Sequence, residues 1–135
     1  MTAPLIDRLT HELNYPLLDL SNIDEFLSQN AYSVLFFTQD INRFPESNDV
    51  AVVLPELIPL FPQIKPALIA RNDERKLQSL YGFRSWPALV FMKGNEYLGV
   101  MTGIQDWSDY LNEIPAILSS KPSRPHSIGI PVVSN

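Results

Sequence analysis

The chain contains no cysteine among its 135 residues. Disulfide bonds, thiolate metal ligands and thiol redox chemistry are therefore all excluded. Its two histidines, His11 and His126, stand near opposite ends of the chain, whereas a metal site needs several ligands at compatible spacing. We therefore expect two surface histidines, and the sequence predicts neither a metal nor any other cofactor.

Motifs that would indicate an enzyme are also missing. The sequence has no Gly-x-Gly-x-x-Gly or Gly-x-x-x-x-Gly-Lys motif for binding phosphate. It has no Gly-x-Ser-x-Gly motif, so a Ser/His/Asp triad, which composition alone permits, would have to use a terminal histidine. We therefore expect a protein that is not an enzyme. The carboxylate pairs all stand at predicted helix starts, where the helix dipole accounts for them: Asp24 with Glu25, Asp73 with Glu74, and Asp106 with Asp109.

Positive charge and long apolar runs are scarce. The 10 Lys and Arg residues are outnumbered by 15 Asp and Glu residues, which gives a net charge of −5 at pH 7. This balance argues against nucleic acid and anionic membranes as partners and suits a basic partner, such as an arginine-bearing peptide. No apolar run could span a membrane, and residues 1–20 carry Asp7 and Glu12 instead of the apolar core of a secretory signal. We expect a cytoplasmic protein with no membrane insertion.

What the sequence does contain is a strongly marked strand after Pro87. This proline cannot donate to a sheet ladder, so it belongs at the start of a strand. The continuous apolar run 88–92 is typical of a strand buried on both faces. Gly94-Asn95 then predicts a hairpin turn, with the antiparallel return strand at 96–101. If the Trp86–Pro87 bond is cis, the backbone of Trp86 is held at a surface corner, free to pair with another chain.

Apolar spacing and turn residues predict the order of elements in the rest of the chain. Helices and strands alternate before a closing hairpin and helix, which indicates an α/β fold, a three-layer α/β/α sandwich with a central mixed sheet of about five strands. We expect residues 1–118 to form this single domain and residues 119–135 to form a proline-rich, flexible tail. The predicted helices are 4–13, 22–29, 50–61, 72–80 and 105–118, and the predicted strands are 17–20, 32–37, 64–70, 88–92 and 96–101.

Several residues receive specific roles within these elements. Ser21 is the predicted N-cap of the second helix, and Gly82 is the left-handed residue predicted to end the fourth. The polar residues 38–49 predict a loop that is long enough to suggest a function. The predicted buried stripes of the last two helices are Leu77, Leu80 and Tyr81, and then Trp107, Tyr110, Leu111, Ile114 and Leu118.

The Trp86–Pro87 corner and the acidic loop together form the candidate peptide-binding site. We expect Asp40, Glu46 and Asp49 to lie across the same end of the sheet as the corner, where they would steer a cationic peptide. The alternative is that Trp86 simply belongs to the core and that the loop is simply solvated. The residues alone leave both interpretations open.

The C-terminal half of the chain resembles thioredoxin. Residues 81–91, Tyr-Gly-Phe-Arg-Ser-Trp-Pro-Ala-Leu-Val-Phe, resemble the strand of that family that begins at a cis-proline. Pro55 resembles the proline of the family's kinked helix, and counting back from it places the redox Cys-x-x-Cys at Ser47-Asn48-Asp49-Val50. Ser47 and Val50 replace both cysteines, so the resemblance implies the scaffold without the oxidoreductase activity.

A closer resemblance is to the hydrogenase-operon proteins HyaE and HupG, a cysteine-free branch with the same scaffold. It implies a chaperone in maturation of an uptake NiFe hydrogenase, which binds the small-subunit precursor and its twin-arginine signal peptide before export. It also allows other hydrogenase maturation proteins as partners, and it defines no binding residue. The resemblance covers about residues 15–118 and is carried by Phe83, Trp86-Pro87-Ala88, Gly94-Asn95, Tyr97, Gly99-Val100, Gly103-Ile104 and Trp107.

An alternative function is a protein–protein assembly platform of a different complex. The tail would then be the contact element, through the apolar residues Ile128, Ile130, Val132 and Val133. An enzyme of another type ranks last, because the sequence contains no catalytic constellation.

Overall fold

The strand that follows Pro87 lies inside a five-stranded sheet. The computed structural model of the protein describes residues 3–123. Within this range, helices and strands follow one another in the predicted order. The helices are α1 (Pro4–His11), α2 (Ile23–Gln29), α3 (Glu46–Leu57), α4 (Glu74–Tyr81) and α5 (Trp107–Ser119); the strands are β1 (Leu17–Leu18), β2 (Tyr32–Phe37), β3 (Ile64–Ile69), β4 (Ala88–Lys93) and β5 (Glu96–Thr102); single turns of 3₁₀ helix lie at Ile58–Leu60 and Arg71–Asp73.

The sheet has the strand order β1-β3-β2-β4-β5. Strands β1, β3 and β2 are parallel, whereas β4 runs antiparallel to β2, and β5 antiparallel to β4. The predicted mixed sheet is therefore confirmed. Every residue from Ala88 to Met92 is buried, as predicted for a strand covered on both faces. Gly94 has a φ of +56° in the hairpin turn, a conformation that glycine adopts without steric cost.

Each face of the sheet is covered by its own helices. Helices α1, α3 and α5 cover one face, to which they contribute Leu9, Leu54 and Tyr110. Helices α2 and α4 cover the other face, to which they contribute Leu27 and Leu77. Removal of these apolar side chains from water on both faces stabilises the predicted three-layer α/β/α arrangement, which is confirmed.

Helix α3 begins earlier than the sequence predicts. It starts at Glu46, inside the segment 38–49 that was predicted to be a loop. The prediction is wrong because it relied on polarity, whereas polar residues suit a first helical turn. Glu46 and Asp49 place negative charge at the positive end of the helix dipole. The helix continues through Pro55 and ends at Leu57, and a 3₁₀ turn replaces the rest of the predicted helix.

The ends of two shorter helices test the predicted capping residues. The N-cap of α2 is Asn22 rather than Ser21, so that prediction is wrong. The hydroxyl of Ser21 donates instead to the Oδ1 atom of Asp19, two residues back along the chain. Gly82 follows α4 with a φ of +77°, the left-handed conformation predicted for it.

Three side chains predicted to be buried are exposed. Leu80 is 60% exposed, because its neighbour Tyr81 points into the core and one helical step rotates a side chain by about 100°. Trp107 and Leu111 are 45% and 38% exposed. The buried stripe of α5 runs through Tyr110, so these two residues lie beside it. The predicted apolar stripes were too wide.

Helix α5 ends at Ser119, and the chain that follows reaches the outer strand. The N–H of Ser123 donates a hydrogen bond to the carbonyl of Tyr97 in β5, at 2.9 Å. No helix within residues 3–123 is long and apolar enough to cross a membrane. The rest of the predicted tail lies outside the described residues, including Ile128, Ile130, Val132 and Val133.

Candidate peptide-binding site

The Trp86–Pro87 peptide bond is cis, as the thioredoxin resemblance implies. The corner lies where β2 ends, because Ala88 pairs with Phe37. The carbonyl of Pro87 accepts a hydrogen bond from the N–H of Gly103 at 2.8 Å. The backbone N–H and C=O of Trp86 have no hydrogen-bond partner in the described part of the chain. Unpaired backbone groups of this kind are what strand addition by an extended chain uses.

The indole of Trp86 is half-buried and lies between two other aromatic rings. Its ring centre is 5.7 Å from that of Phe44 and 5.5 Å from that of Phe83. The Nε1 atom donates a hydrogen bond to Oε1 of Glu74 at 3.0 Å. The side chain of Trp86 therefore packs against the core, while its backbone stays unpaired within the described residues.

Behind the corner lies a fully buried carboxylate, that of Glu74. The backbone N–H of Gln39 donates to both of its oxygens at 3.1 Å, and the hydroxyl of Thr38 lies 3.4 Å from Oε2. Burial raises the pKa of the Glu74 carboxyl above its usual value. Hydrogen bonds to the carboxylate and the charge of Arg71 act in the opposite direction. One carboxylate therefore joins the end of β2, the start of α4 and the corner.

Glu74 was not among the predicted site residues, because the helix dipole already accounted for the pair of Asp73 and Glu74. The spacing of α4 contains a signal that could have found it. Leu77 and Tyr81, the buried residues of the helix, follow Glu74 by three and seven positions, so all three share one face. A glutamate on the buried face of a helix predicts hydrogen-bond donors opposite it, because Glu is almost never fully buried without a partner.

Asp40 lies at the same end of the sheet but in a different environment. It lines a cavity of about 590 Å³, together with His11 and Arg71. Its carboxylate accepts a hydrogen bond from the N–H of Asn42 at 3.0 Å, and its carbonyl accepts one from the N–H of Phe44 at 2.8 Å. No hydrogen bond joins Asp40 to the corner within the described chain. Asp40 therefore supports the turn that carries Phe44.

Glu46 and Asp49 lie in the first turn of α3. The Oε1 atom of Glu46 accepts a hydrogen bond from the N–H of Ile104 at 2.8 Å. Because the preceding residue, Gly103, pairs with Pro87, Glu46 is tied to the corner through this loop. The side chain of Asp49 is exposed and makes no hydrogen bond or ion pair among the described residues. Of the three predicted acidic residues, the structure thus connects Glu46 to the corner by hydrogen bonds.

Ser47 and Val50, the positions matched to the redox cysteines, are 0% and 1% exposed. The hydroxyl of Ser47 donates to the carbonyl of Thr38 at 2.6 Å, and Val50 packs in the core beneath α3. These positions contain a hydroxyl with an internal partner and an alkyl group. Among residues 3–123, no group of three or more His, Asp or Glu side chains is placed to hold a metal ion.

An aromatic surface extends from the corner toward the loop. The ring of Phe44 packs on Trp86, and the guanidinium carbon of Arg43 lies 5.3 Å from the centre of the Phe44 ring. This distance is within the range of a cation–π interaction, about 0.5–1 kcal/mol at an exposed site. The face of Phe44 can therefore hold a guanidinium group. Because Phe44 packs on Trp86, this aromatic face and the unpaired backbone of Trp86 lie at the same corner.

The strand order, the helices on both faces and the cis-proline before β4 define a thioredoxin-like protein, here without the cysteine pair. The fold is similar to that of Plasmodium falciparum thioredoxin, with a TM-score of 0.63 at 14% identity over 75% of this chain and 97% of that one. The predicted fold class is therefore confirmed.

Sequence similarity places the chain more narrowly. The protein belongs to the family described as Hydrogenase-1 expression protein HyaE, which matches residues 5–110. It is 54% identical to the hydrogenase expression/formation protein HoxO of Azotobacter vinelandii, over 90% of this chain and 82% of that protein. The crystal structure of the hydrogenase expression/formation protein HupG from Rhodopseudomonas palustris is similar, with 42% identity and a TM-score of 0.56 over 77% of this chain and 95% of that one. The resemblance to HyaE and HupG is confirmed.

Proposed function

We propose that this protein is a non-catalytic, thioredoxin-like chaperone in maturation of an uptake NiFe hydrogenase. It binds the small-subunit precursor through its twin-arginine signal peptide, in the cytoplasm before export. Family membership supports a role in hydrogenase maturation. The unpaired backbone of Trp86 at the cis-proline supports peptide binding, and it is the observation that carries the finer proposal.

The peptide pairs with the backbone of Trp86 in an extended conformation. Strand addition uses main-chain hydrogen bonds for affinity and side-chain contacts for specificity. An arginine of the peptide lies on the face of Phe44, in competition with Arg43, and near the carboxylate of Glu46. Exposed ion pairs contribute about 0–1 kcal/mol each, so charge mainly speeds the encounter.

The same site does no thiol chemistry. The chain has no cysteine, and the hydroxyl of Ser47 is buried and donates to the carbonyl of Thr38. A peptide at the corner therefore meets no group that can exchange with a disulfide. We expect the purified protein to show no activity in an insulin-reduction assay.

Calorimetric titration tests the proposal with three ligands: the precursor of the hydrogenase small subunit, its synthetic signal peptide, and the same peptide with both arginines replaced by lysine. We expect the precursor and the twin-arginine peptide to bind, and the lysine peptide to bind more weakly. Added salt should weaken the binding slightly, because it screens the acidic residues. Absence of binding to the precursor in any form would refute the proposal.

Removal of residues 124–135 separates this proposal from the alternative of an assembly platform that acts through its tail. The proposed site lies within residues 37–104, so we expect the affinity for the signal peptide to change by less than about twofold. Retained peptide affinity supports the proposed site. Loss of every complex in the truncated protein would instead support contact through the tail.

A further inference from the structure

The carboxylate of Glu74 occupies a position that packing alone does not explain. It is 0% exposed, and no Lys, Arg or His side chain within the described chain lies within ion-pair distance of it. Burial of a charged group without a cation is costly unless hydrogen bonds satisfy it. A carboxylate thus lies in a part of the core that an apolar side chain could fill without this cost. The donors around Glu74 indicate what the carboxylate does.

These donors come from the two parts of the candidate site, the corner at Trp86 and the loop that carries Phe44. The indole N–H of Trp86 comes from the corner, and the N–H of Gln39 comes from the start of the loop that carries Phe44. Gln39 has a φ of +52°, a left-handed conformation that is uncommon for residues other than glycine and asparagine. Backbone strain of this kind clusters at functional sites. The N–H of Gln39 meets the carboxylate from this strained conformation.

We propose that Glu74 is the positioning residue of the peptide-binding site: its carboxylate fixes the indole of Trp86 and the backbone of Gln39 relative to each other. This inference rests on the proposed function and deepens it. The ligand remains an extended, arginine-bearing peptide. Glu74 is buried and does not contact the peptide. It acts through Trp86, whose backbone pairs with the peptide, and through the loop, whose Phe44 ring receives the arginine.

A carboxylate matches this set of donors better than an amide does. An ionised carboxylate is an acceptor at both oxygens, whereas an amide of the same size has one acceptor oxygen and one NH₂ donor. In Glu74→Gln, an NH₂ group in place of Oε1 would face the N–H groups of both Gln39 and Trp86, and an NH₂ group in place of Oε2 would still face the N–H of Gln39, beside the hydroxyl of Thr38. The replacement therefore breaks the arrangement without changing its volume, which makes it the sharpest available test.

The experiment uses the full chain with Trp107→Phe, which leaves Trp86 as its single tryptophan. Trp107 is exposed and has no part in the proposed site. We measure the affinity of this parent protein and of its Glu74→Gln variant for the twin-arginine signal peptide by calorimetry. We expect Glu74→Gln to weaken binding about tenfold, the effect of losing one charge-assisted contact. Glu113→Gln, an exposed carboxylate on α5, is the matched control and should leave the affinity unchanged.

A second readout reports on position rather than on stability. The indole ¹H–¹⁵N resonance of Trp86 should shift with pH in the parent as Glu74 titrates, and it should stay constant over the same range in Glu74→Gln. Arg71 is the charged group that acts on Glu74. As the pH is lowered, the affinity for the peptide should fall, because protonated Glu74 no longer offers two acceptors. The midpoint of this fall should equal the midpoint of the indole shift.

The outcomes separate the two proposals. If the parent binds no signal peptide and no precursor, the proposed function fails. If the parent binds and folded Glu74→Gln binds equally well, the inference fails while the proposed function stands. If Glu74→Gln does not fold, the pH series on the parent decides. A common midpoint for the indole shift and the affinity supports the inference, and separate midpoints overturn it.

Discussion

The hydrogen bond between Trp86 and Glu74 should contribute measurably to stability. Trp86→Phe removes the indole N–H and leaves Oε1 of Glu74 without that donor, which lies 3.0 Å away. A hydrogen bond to a charged group contributes about 1.5–3 kcal/mol. The smaller ring also loses part of its contact with Phe44 and Phe83, which adds about 0.5–1 kcal/mol. We therefore expect Trp86→Phe to lower the free energy of unfolding by about 2–4 kcal/mol.

A double-mutant cycle with Glu74→Gln separates the hydrogen bond from the packing of the ring. A hydrogen bond between neutral groups contributes about 0.5–1.5 kcal/mol, so Trp86→Phe should cost about 1 kcal/mol less when Gln replaces Glu74. The packing contribution is the same in both backgrounds and cancels. The expected coupling energy between the two positions is therefore about 1 kcal/mol.

Urea unfolding followed by far-ultraviolet circular dichroism measures all four proteins of the cycle, because Trp86→Phe removes one of the chain's 2 tryptophans and changes the fluorescence. Trp107→Phe is the control, since the indole of Trp107 makes no hydrogen bond within the described residues. It should show no coupling to Glu74→Gln. A coupling energy between Trp86 and Glu74 below about 0.5 kcal/mol, the limit of ordinary additivity, would refute the reasoning.

Three further predictions follow from the same region. Because burial raises the pKa of Glu74, the folded state binds its proton more tightly than the unfolded state does. The free energy of unfolding of the wild type, relative to that of Glu74→Gln, should therefore fall as the pH rises through this raised pKa. Urea unfolding of both proteins at several pH values measures this difference, and a constant difference would contradict the prediction. Ser47→Ala removes the buried hydrogen bond to the carbonyl of Thr38 and should cost about 1–3 kcal/mol; a smaller loss by thermal unfolding would show that the carbonyl finds another donor. Phe44→Leu keeps an apolar side chain but removes the aromatic face. In calorimetry, it should reduce the preference for the twin-arginine over the twin-lysine peptide about two- to fivefold. An unchanged preference would exclude Phe44 from arginine recognition.

The sequence was sufficient for the fold where local chemistry and burial agree. The apolar run after Pro87 predicts its own strand, and Gly82 and Gly94 predict the positions where the backbone needs a positive φ. The start of α3 was misplaced because Glu46 and Asp49 look like loop residues when the helix dipole is not considered. The exposure of Trp107 depends on which face of α5 the sheet covers, and spacing alone does not determine this.

The candidate site was predictable from the sequence where it depends on neighbouring residues, and not where it depends on residues distant in sequence. The corner at Trp86 follows from a proline before an apolar run, and its cis bond agrees with the family resemblance. Glu74 was missed because its donors come from residues that are distant in sequence, Gln39 and Trp86, and only folding brings them together. Asp40 was assigned to the site by charge, which stays a prediction; the hydrogen bonds in the structure show that it also holds the turn of its own loop.

One outer strand of the sheet is very short, and the other is partly covered by the chain that follows α5. Strand β1 is two residues long, and on β5 the N–H of Ser123 already pairs with the carbonyl of Tyr97. Exposed, regular sheet edges recruit other extended chains and promote polymerisation. A protein that binds extended peptides is especially vulnerable to this, since its ligands are themselves strand-forming. In the proposed function, a two-residue edge at β1 and a partly covered edge at β5 favour pairing of the peptide at the inner corner of Trp86 over pairing at the sheet edges.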